Sequence, residues 1–212
     1  FLHIDPHCEV ELFKSEGDKV LRGDCILIAK GNERKLLQSE RLVLNFMQRM
    51  SGIATMVSRY KDEIKDLPAQ LLDTRKTTPG LRKVEKWAVR IGGGLNHRMG
   101  LYDMIMLKEN HIAYAGSIKK AIENTHQCLK QNNLDLPIEI ETQNINEVEE
   151  VLRCGGIQRI MLDNYTLEAL KEAVNMINGR VETEASGGVN LSTIREIAKT
   201  GVDFISVGAL TH

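Results

Sequence analysis

After Pro68 the chain repeats one unit to its end: a short, almost wholly apolar run followed by a longer stretch with helical spacing. The apolar runs cover residues 69–73, 103–107, 137–142, 158–163, 180–185 and 203–207. Helical patterns lie between them at about 80–91, 117–131, 145–154, 166–177 and 190–200. Strands apolar on both faces belong to a parallel sheet, because each return crossover lays a helix against that sheet. Six such strands suit a barrel or a doubly wound sheet. No Gly-x-Gly-x-x-Gly follows the first strand, which weighs against a dinucleotide fold.

The region before Pro68 has a different rhythm. From His7 to Gly31 it is strand-like, with Val10 and Leu12 alternating with charge and Ile26, Leu27 and Ile28 following Gly23-Asp24. The Gly17–Asp24 link is turn-rich and reads as a structural β connection. From Leu36 to about Ile64 apolar residues recur at helical spacing, and Gly52 predicts one kinked helix or two helices.

A formal net charge of −1 over 212 residues gives no bulk attraction to nucleic acid or to a membrane surface. Apolar runs are short and interrupted by charge, so no transmembrane helix is expected. The start, Phe1-Leu2-His3-Ile4-Asp5-Pro6, lacks the basic head and apolar run of a signal peptide. It also lacks Met, and the end stops abruptly after a strand-like run, so both ends are expected to be truncated. Cys8, Cys25, Cys128 and Cys154 form no CxxC pair and read as reduced, mostly buried thiols of a cytoplasmic protein.

Nearly every apolar run ends in residues capable of chemistry. The first leads into Thr74-Arg75-Lys76-Thr77, the second into Lys108-Glu109-Asn110-His111, and the fourth ends at Asp163-Asn164. The fifth ends at Glu184-Ala185-Ser186-Gly187-Gly188 and the sixth at Gly208. In barrels of this kind the active site gathers at the C-terminal strand ends. Parity adds to this: in Pro137-Ile138-Glu139-Ile140-Glu141-Thr142 both glutamates share one face. The isoleucines should face the helices, leaving two carboxylates directed into the barrel, where an unpaired charge is costly without a partner or metal. A solvated edge strand is the plainer alternative.

Residues 75–98 form a basic block, with Arg75, Lys76, Arg82, Lys83, Lys86, Arg90, His97 and Arg98 opposed by Glu85 alone. A solvated helix face accounts for Lys83 and Lys86, but poorly for Arg75-Lys76 at a strand end or His97-Arg98 beside Gly92-Gly93-Gly94. Arginines are favoured where carboxylates or phosphates are gripped in bidentate fashion. Aromatic residues for base stacking are scarce, so the expected ligand is a small polyanion. Ser186-Gly187-Gly188 before a helix, and Gly208, supply backbone N–H groups for a phosphate at the last two strands. Anion grips, carboxylates for a divalent cation and a phosphate cup together suit transfer from phosphoribosyl pyrophosphate, in which positive charge develops on the sugar.

Leu72-Asp73-Thr74-Arg75-Lys76-Thr77-Thr78-Pro79-Gly80-Leu81-Arg82 resembles the central signature of the quinolinate phosphoribosyltransferases. The resemblance continues through Gly92–Leu101, Met106–His111, Ile140-Glu141, Met161–Asn164, Glu184–Gly188 and Ser206–His212. It implies an α/β fold: a partial N-terminal α/β sandwich over 1–66, then an irregular parallel α/β barrel over 67–212 without its C-terminal helix. It implies that Arg75, His97, Arg98 and Lys108 line a quinolinate pocket. Lys76, Glu141 and Asp163 would serve phosphoribosyl pyrophosphate and Mg²⁺, with Glu141 and Asp163 the metal ligands. Lys76, Lys108, Glu141 and Asp163 would form the catalytic set. Ser186, Gly187, Gly188 and Gly208 would hold the 5-phosphate, with His212 beside them. Arg41 would reach the site of a neighbouring subunit in a dimer or higher oligomer. The implied reaction makes nicotinate mononucleotide, pyrophosphate and CO₂. Competing readings are a nicotinate or molybdenum-associated transferase on the same scaffold, a Schiff-base aldolase using Lys76 or Lys108, and a non-enzymatic phosphate-binding module.

Overall fold

The computed structural model describes residues 1–211, which leaves His212 outside the described residues. Strands β1 (Glu9–Leu12) and β2 (Leu27–Lys30) form an antiparallel pair, followed by helix α1 (Glu33–Ile64). Then come β3 (Gln70–Leu72), α2 (Arg82–Ile91), β4 (Ile105–Leu107), α3 (Glu109–Ala115) and α4 (Ile118–Gln131). The chain continues as β5 (Ile138–Thr142), α5 (Ile145–Cys154), β6 (Arg159–Asp163), α6 (Leu167–Ile177), β7 (Glu182–Ser186), α7 (Ile194–Ala198) and β8 (Phe204–Ser206). Each of the six predicted barrel strands is found, and a short 3-10 turn at Gly208–Leu210 follows the last.

Local chemistry explains the boundaries. Ser117, Asn144 and Thr166 accept from the amides of Lys120, Glu147 and Ala169, which starts α4, α5 and α6. Helix α3 was not expected, because its Glu109-Asn110-His111 start reads as the tail of a strand. Gly116 stops it in the left-handed conformation at φ 90°. Helix α7 is much shorter than predicted, since the Asn190 side chain folds Ser192 and Thr193 back into a turn before it.

The parallel strands lie in the order β3-β8-β7-β6-β5-β4. Sequence neighbours are spatial neighbours from β4 to β8, and β8 then pairs with β3. That is a barrel and not a doubly wound sheet, whose order reverses outward from a central strand. Its irregularity lies between β3 and β4, which share no ladder. There Leu95 runs alongside β3, donating to Leu71 O at 2.8 Å and accepting from Asp73 N at 3.2 Å. Segment 95–104 thus straps the open edge and delivers Asn96, His97 and Arg98 to the barrel mouth.

Ile138, Ile140, Ile160, Leu162 and Ile205 are fully buried beneath the helices, packed in one core with Val148, Ala173, Ile177 and Ile194. Helix α1 runs unbroken through Gly52, around which a Cβ would meet nothing. One helix therefore spans the segment, since a single glycine costs only about 1 kcal/mol against the packing of the second half. Its second half buries Ile53, Val57, Tyr60 and Ile64 against the barrel. Its first half leaves Leu37 and Leu42 exposed. The triple glycine belongs to this contact: a Cβ on Gly92 would lie 2.5 Å from Ala54 O and 2.6 Å from Val57 Cβ. No helix among the described residues is long and apolar enough to cross a membrane. All four cysteines are free, but Cys25 and Cys128 are exposed, which corrects the expectation of mostly buried thiols.

Candidate active site

At the C-terminal ends of the strands lies a cleft of about 690 Å³. Arg75, Lys76, His97, Arg98, Lys108, Glu141, Asp163, Ser186, Gly187, Gly188 and Gly208 all line it. Arg41 does not: it is exposed on the first half of α1. Thr74, Met106, Met161, Asn164, Glu184 and Ser206 also line the cleft and had been given no role. Strand parity marks several of them, since Met161 lies two residues before Asp163 and Glu184 two before Ser186.

The lining divides by strand. Cations come from the arc formed by β3, the strap and β4. Arg75 is half-buried, and its Nε is buried without a hydrogen-bond partner. Arg98 donates to Met104 O at 3.3 Å and contacts Met106 Sδ at 3.4 Å. Burial and then the neighbouring Arg75 charge lower its pKa, so this arc is short of an anion. Lys108 Nζ lies 2.5 Å from Glu141 Oε2, so an incoming carboxylate would compete with that pair.

Carboxylates and glycines come from β5 to β8. Asp163 accepts from Ser186 Oγ at 2.5 Å and Asn164 Nδ2 at 2.8 Å. Gly187, at φ 89°, packs where a Cβ would fall 2.0 Å from Asn164 Oδ1, and Gly188, at φ 62°, faces open space. Because α7 begins only at Ile194, this loop offers its own amides and not a helix N-terminus, which corrects the expected arrangement. Gly208 lies beside Lys76, whose Cδ would be 3.5 Å from a Cβ there.

The basic block separates into two classes. Lys86, read as part of a solvated face, is instead fully buried, with Nζ bound to Asp73 Oδ1 and 2.9 Å from His97 O. Asp73 also accepts from His97 N at 2.8 Å and Asn96 Nδ2 at 2.6 Å, which rivets the strap to β3. Arg82 likewise braces the site, through Thr77 Oγ1 at 3.1 Å, Met99 O at 3.2 Å and Arg75 O at 3.4 Å.

The two inward glutamates of β5 differ in depth. Glu141 reaches the cleft, whereas Glu139 is fully buried below it. His97 Nε2 lies 2.8 Å from Glu139 Oε2 and 3.5 Å from Glu184 Oε2, without hydrogen-bond alignment. The ligating atoms of these residues fall within 4.8 Å of one another, a donor set suited to a cation. Arg159 already holds Glu184 Oε2 at 3.0 Å, however, and protonation can relieve the remaining charge. Burial pushes Glu139 up to about 7. It does the same for Glu184, also to about 7, with Glu139 a secondary cause. Burial lowers His97.

A pH dependence follows from this floor. The folded state keeps protons on the glutamates that the unfolded chain releases above its ordinary carboxylate range. Stability should therefore fall as pH rises from about 4.5 towards about 7, by roughly 1.4 kcal/mol per pH unit for each proton retained. His97 opposes this below its ordinary value of 6.5, where the unfolded chain binds the extra proton. The net fall should be clearest between about pH 6 and 7, where the unfolded histidine is losing its proton and the folded glutamates still keep theirs. Urea midpoints across that range should decline for the native protein and flatten for Glu139→Gln. A slope unchanged by the substitution would exclude the pair as its source.

Comparison with known proteins gives this geometry a context. Residues 1–51 match the model "Quinolinate phosphoribosyl transferase, N-terminal domain", and residues 53–212 match its "C-terminal domain" counterpart. Quinolinate phosphoribosyltransferase [decarboxylating] 2, mitochondrial, of Nicotiana glauca is 50% identical over 226 residues, which cover 100% of the chain and 64% of the relative. A probable nicotinate-nucleotide pyrophosphorylase [carboxylating] of Synechocystis is 44% identical, covering 99% of the chain and 70% of the relative. The crystal structure of NadC from Streptococcus pyogenes superposes with a TM-score of 0.92 at 40% identity, covering 100% of this chain and 73% of that one. The chain therefore spans 64% of the length of the first of these relatives, and the two family models together match it along nearly its whole extent. On this agreement of sequence and fold, the chain belongs to the quinolinate phosphoribosyl transferase family.

Proposed function

We propose that the protein transfers the phosphoribosyl group of phosphoribosyl pyrophosphate to quinolinate, giving nicotinate mononucleotide, pyrophosphate and CO₂. The observation that carries this reading is the division of one cleft into a cationic arc and an acidic, glycine-lined arc. Arg75, Arg98 and Lys108, with the His97 imidazole beside them, would orient the two carboxylates of quinolinate, a task for more cations than a monocarboxylate needs. The pyridine nitrogen then attacks the sugar as pyrophosphate leaves. The ring cation so formed stabilises the carbanion left as the adjacent carboxylate departs as CO₂, and a proton taken from water then completes the nicotinate ring. Glu141 and Asp163 would face the positive charge that develops on the sugar, and Lys76 the pyrophosphate. The amides of Gly187, Gly188 and Gly208 with the Ser186 hydroxyl would hold the 5-phosphate.

Glu141 and Asp163 offer hard oxygen donors at the cleft wall, which fits Mg²⁺, an ion that takes one or two carboxylates together with substrate phosphates and water. When bound it would neutralise charge on the pyrophosphate. A Schiff-base reaction is disfavoured, because Lys108 is ion-paired and Lys76 exposed, and neither has the desolvated setting such a lysine uses. The free cysteines and near-neutral charge suit a cytoplasmic protein acting apart from membranes and nucleic acid.

The direct test incubates the protein with quinolinate and phosphoribosyl pyrophosphate, with and without Mg²⁺, and measures nicotinate mononucleotide. Absence of product at saturating substrate would defeat the reading. Equal turnover of nicotinate would point to the monocarboxylate transferase.

The same reading extends to a homodimer or higher oligomer with shared sites, supported by the exposed position of Arg41 on a helix half whose Leu37 and Leu42 are also uncovered. Inactive Arg41→Ala and Lys108→Ala variants should regain activity when their subunits exchange, since some heterodimers then hold one intact site. Were Arg41 an ordinary exposed helix residue, Arg41→Ala would lie within about 0.5 kcal/mol of neutral in stability and keep its activity. No recovery after verified exchange counts against the shared site.

A further inference from the structure

The geometry points to Arg49 and Glu85 as a positioning pair that sets the phosphoribosyl pyrophosphate side of the cleft from outside it, an inference that rests on the function proposed above. Arg49 lies on α1, and neither it nor Glu85 lines the cleft. Its Nε and Nη2 donate to Glu85 Oε1 at 3.0 and 2.7 Å. Nη2 also reaches Thr78 Oγ1 at 3.1 Å and Thr211 O at 2.9 Å. Glu85, fully buried on α2, uses its other oxygen to accept from Thr78 N at 3.0 Å. Thr211 completes the circuit by donating from Oγ1 to Lys76 O at 2.9 Å.

One guanidinium therefore ties together two loops that meet at the cleft. One is the Thr74–Pro79 loop, which carries Lys76, and the other is the segment after Gly208. Their mutual placement sets Lys76 against Gly208. Arg75, on the same loop, is held separately, through its carbonyl by Arg82 and through β3 by the Asp73 contacts. The strap bearing His97 and Arg98 has no bond to Arg49. The brace thus acts selectively on the loops assigned to pyrophosphate and 5-phosphate, not on the quinolinate arc. The guanidinium adds to the three contacts of Nη2 a second bond from Nε to the same Glu85 oxygen, which a lysine ammonium cannot make beside them.

Arg49→Ala should raise KM for phosphoribosyl pyrophosphate by about tenfold or more, since small misplacements of binding groups are strongly felt, while KM for quinolinate moves by less than about threefold. The Arg49 side chain is 43% exposed, so millimolar guanidinium should enter the vacated position and restore part of the loss. Arg49→Lys, which keeps the charge and the helix, should fall between the two and guards against misfolding of the alanine variant. Hydrogen exchange reads the brace without substrate: the Thr78 amide should exchange faster in both variants, and the His97 amide should not. A selective KM rise reversed by guanidinium supports the pair. Equal rises for both substrates, no rise, or unchanged exchange at Thr78 overturns it. A native protein inactive on both substrates would instead sink the proposed function, and the exchange measurement would still decide the brace.

Discussion

Replacing Lys86 with methionine is expected to destabilise the protein by about 3–5 kcal/mol, the largest single effect foreseen for folding. Lys86 is fully buried, and its ammonium is held by Asp73 and the His97 carbonyl. Burial works against both charges, pushing Asp73 up and Lys86 down, so each ion depends on the other. Methionine fills the space but leaves a buried carboxylate with only Asn96 and His97 N as donors. Adding Asp73→Asn should recover part of the loss, because an amide leaves no uncompensated charge. Urea unfolding measures both. A loss below about 1 kcal/mol for Lys86→Met would mean that the pair contributes no more than an exposed one.

Arg98→Ala is expected to weaken quinolinate binding by about 2–5 kcal/mol and to change phosphoribosyl pyrophosphate binding far less. The guanidinium sits half-buried beside Arg75, oriented by Met104 O and Met106 Sδ. Partial burial strengthens its attraction for a carboxylate, and the two adjacent arginines lower the cost of bringing in a dianion. Calorimetry with each substrate separates the outcomes. Comparable losses for both would show that Arg98 supports the whole cleft rather than the quinolinate arc.

Much of the cleft lining is legible in the sequence. The alternation after Pro68 marked each barrel strand, and parity placed Glu139 and Glu141 on the inward face of β5, where both lie. Parity does not report depth. Glu139 and Glu141 are equivalent by period, yet one is buried against His97 while the other opens to the cleft and pairs with Lys108. Depth depends on how far each strand is staggered against its neighbours, which is a property of the closed barrel. Glu184 and Arg159 stayed unassigned for the same reason.

The sequence by itself determined the order of the barrel strands and of every helix between them except α3, the gathering of polar residues at the strand ends, and the family those motifs mark. These are local or collinear properties, written in period and motif. Tertiary structure decided how the barrel closes, with Leu95 beside β3 where no strand was foreseen. It also decided which basic residues serve the cleft. Lys86 and Arg82 look like the other cations in sequence, but their long side chains reach partners across the fold, so burial and contact alone separate a rivet from a ligand grip. Arg41 is exposed and stands outside the cleft of its own chain, so the shared-site proposal joins a motif resemblance to a helix half that one chain leaves uncovered.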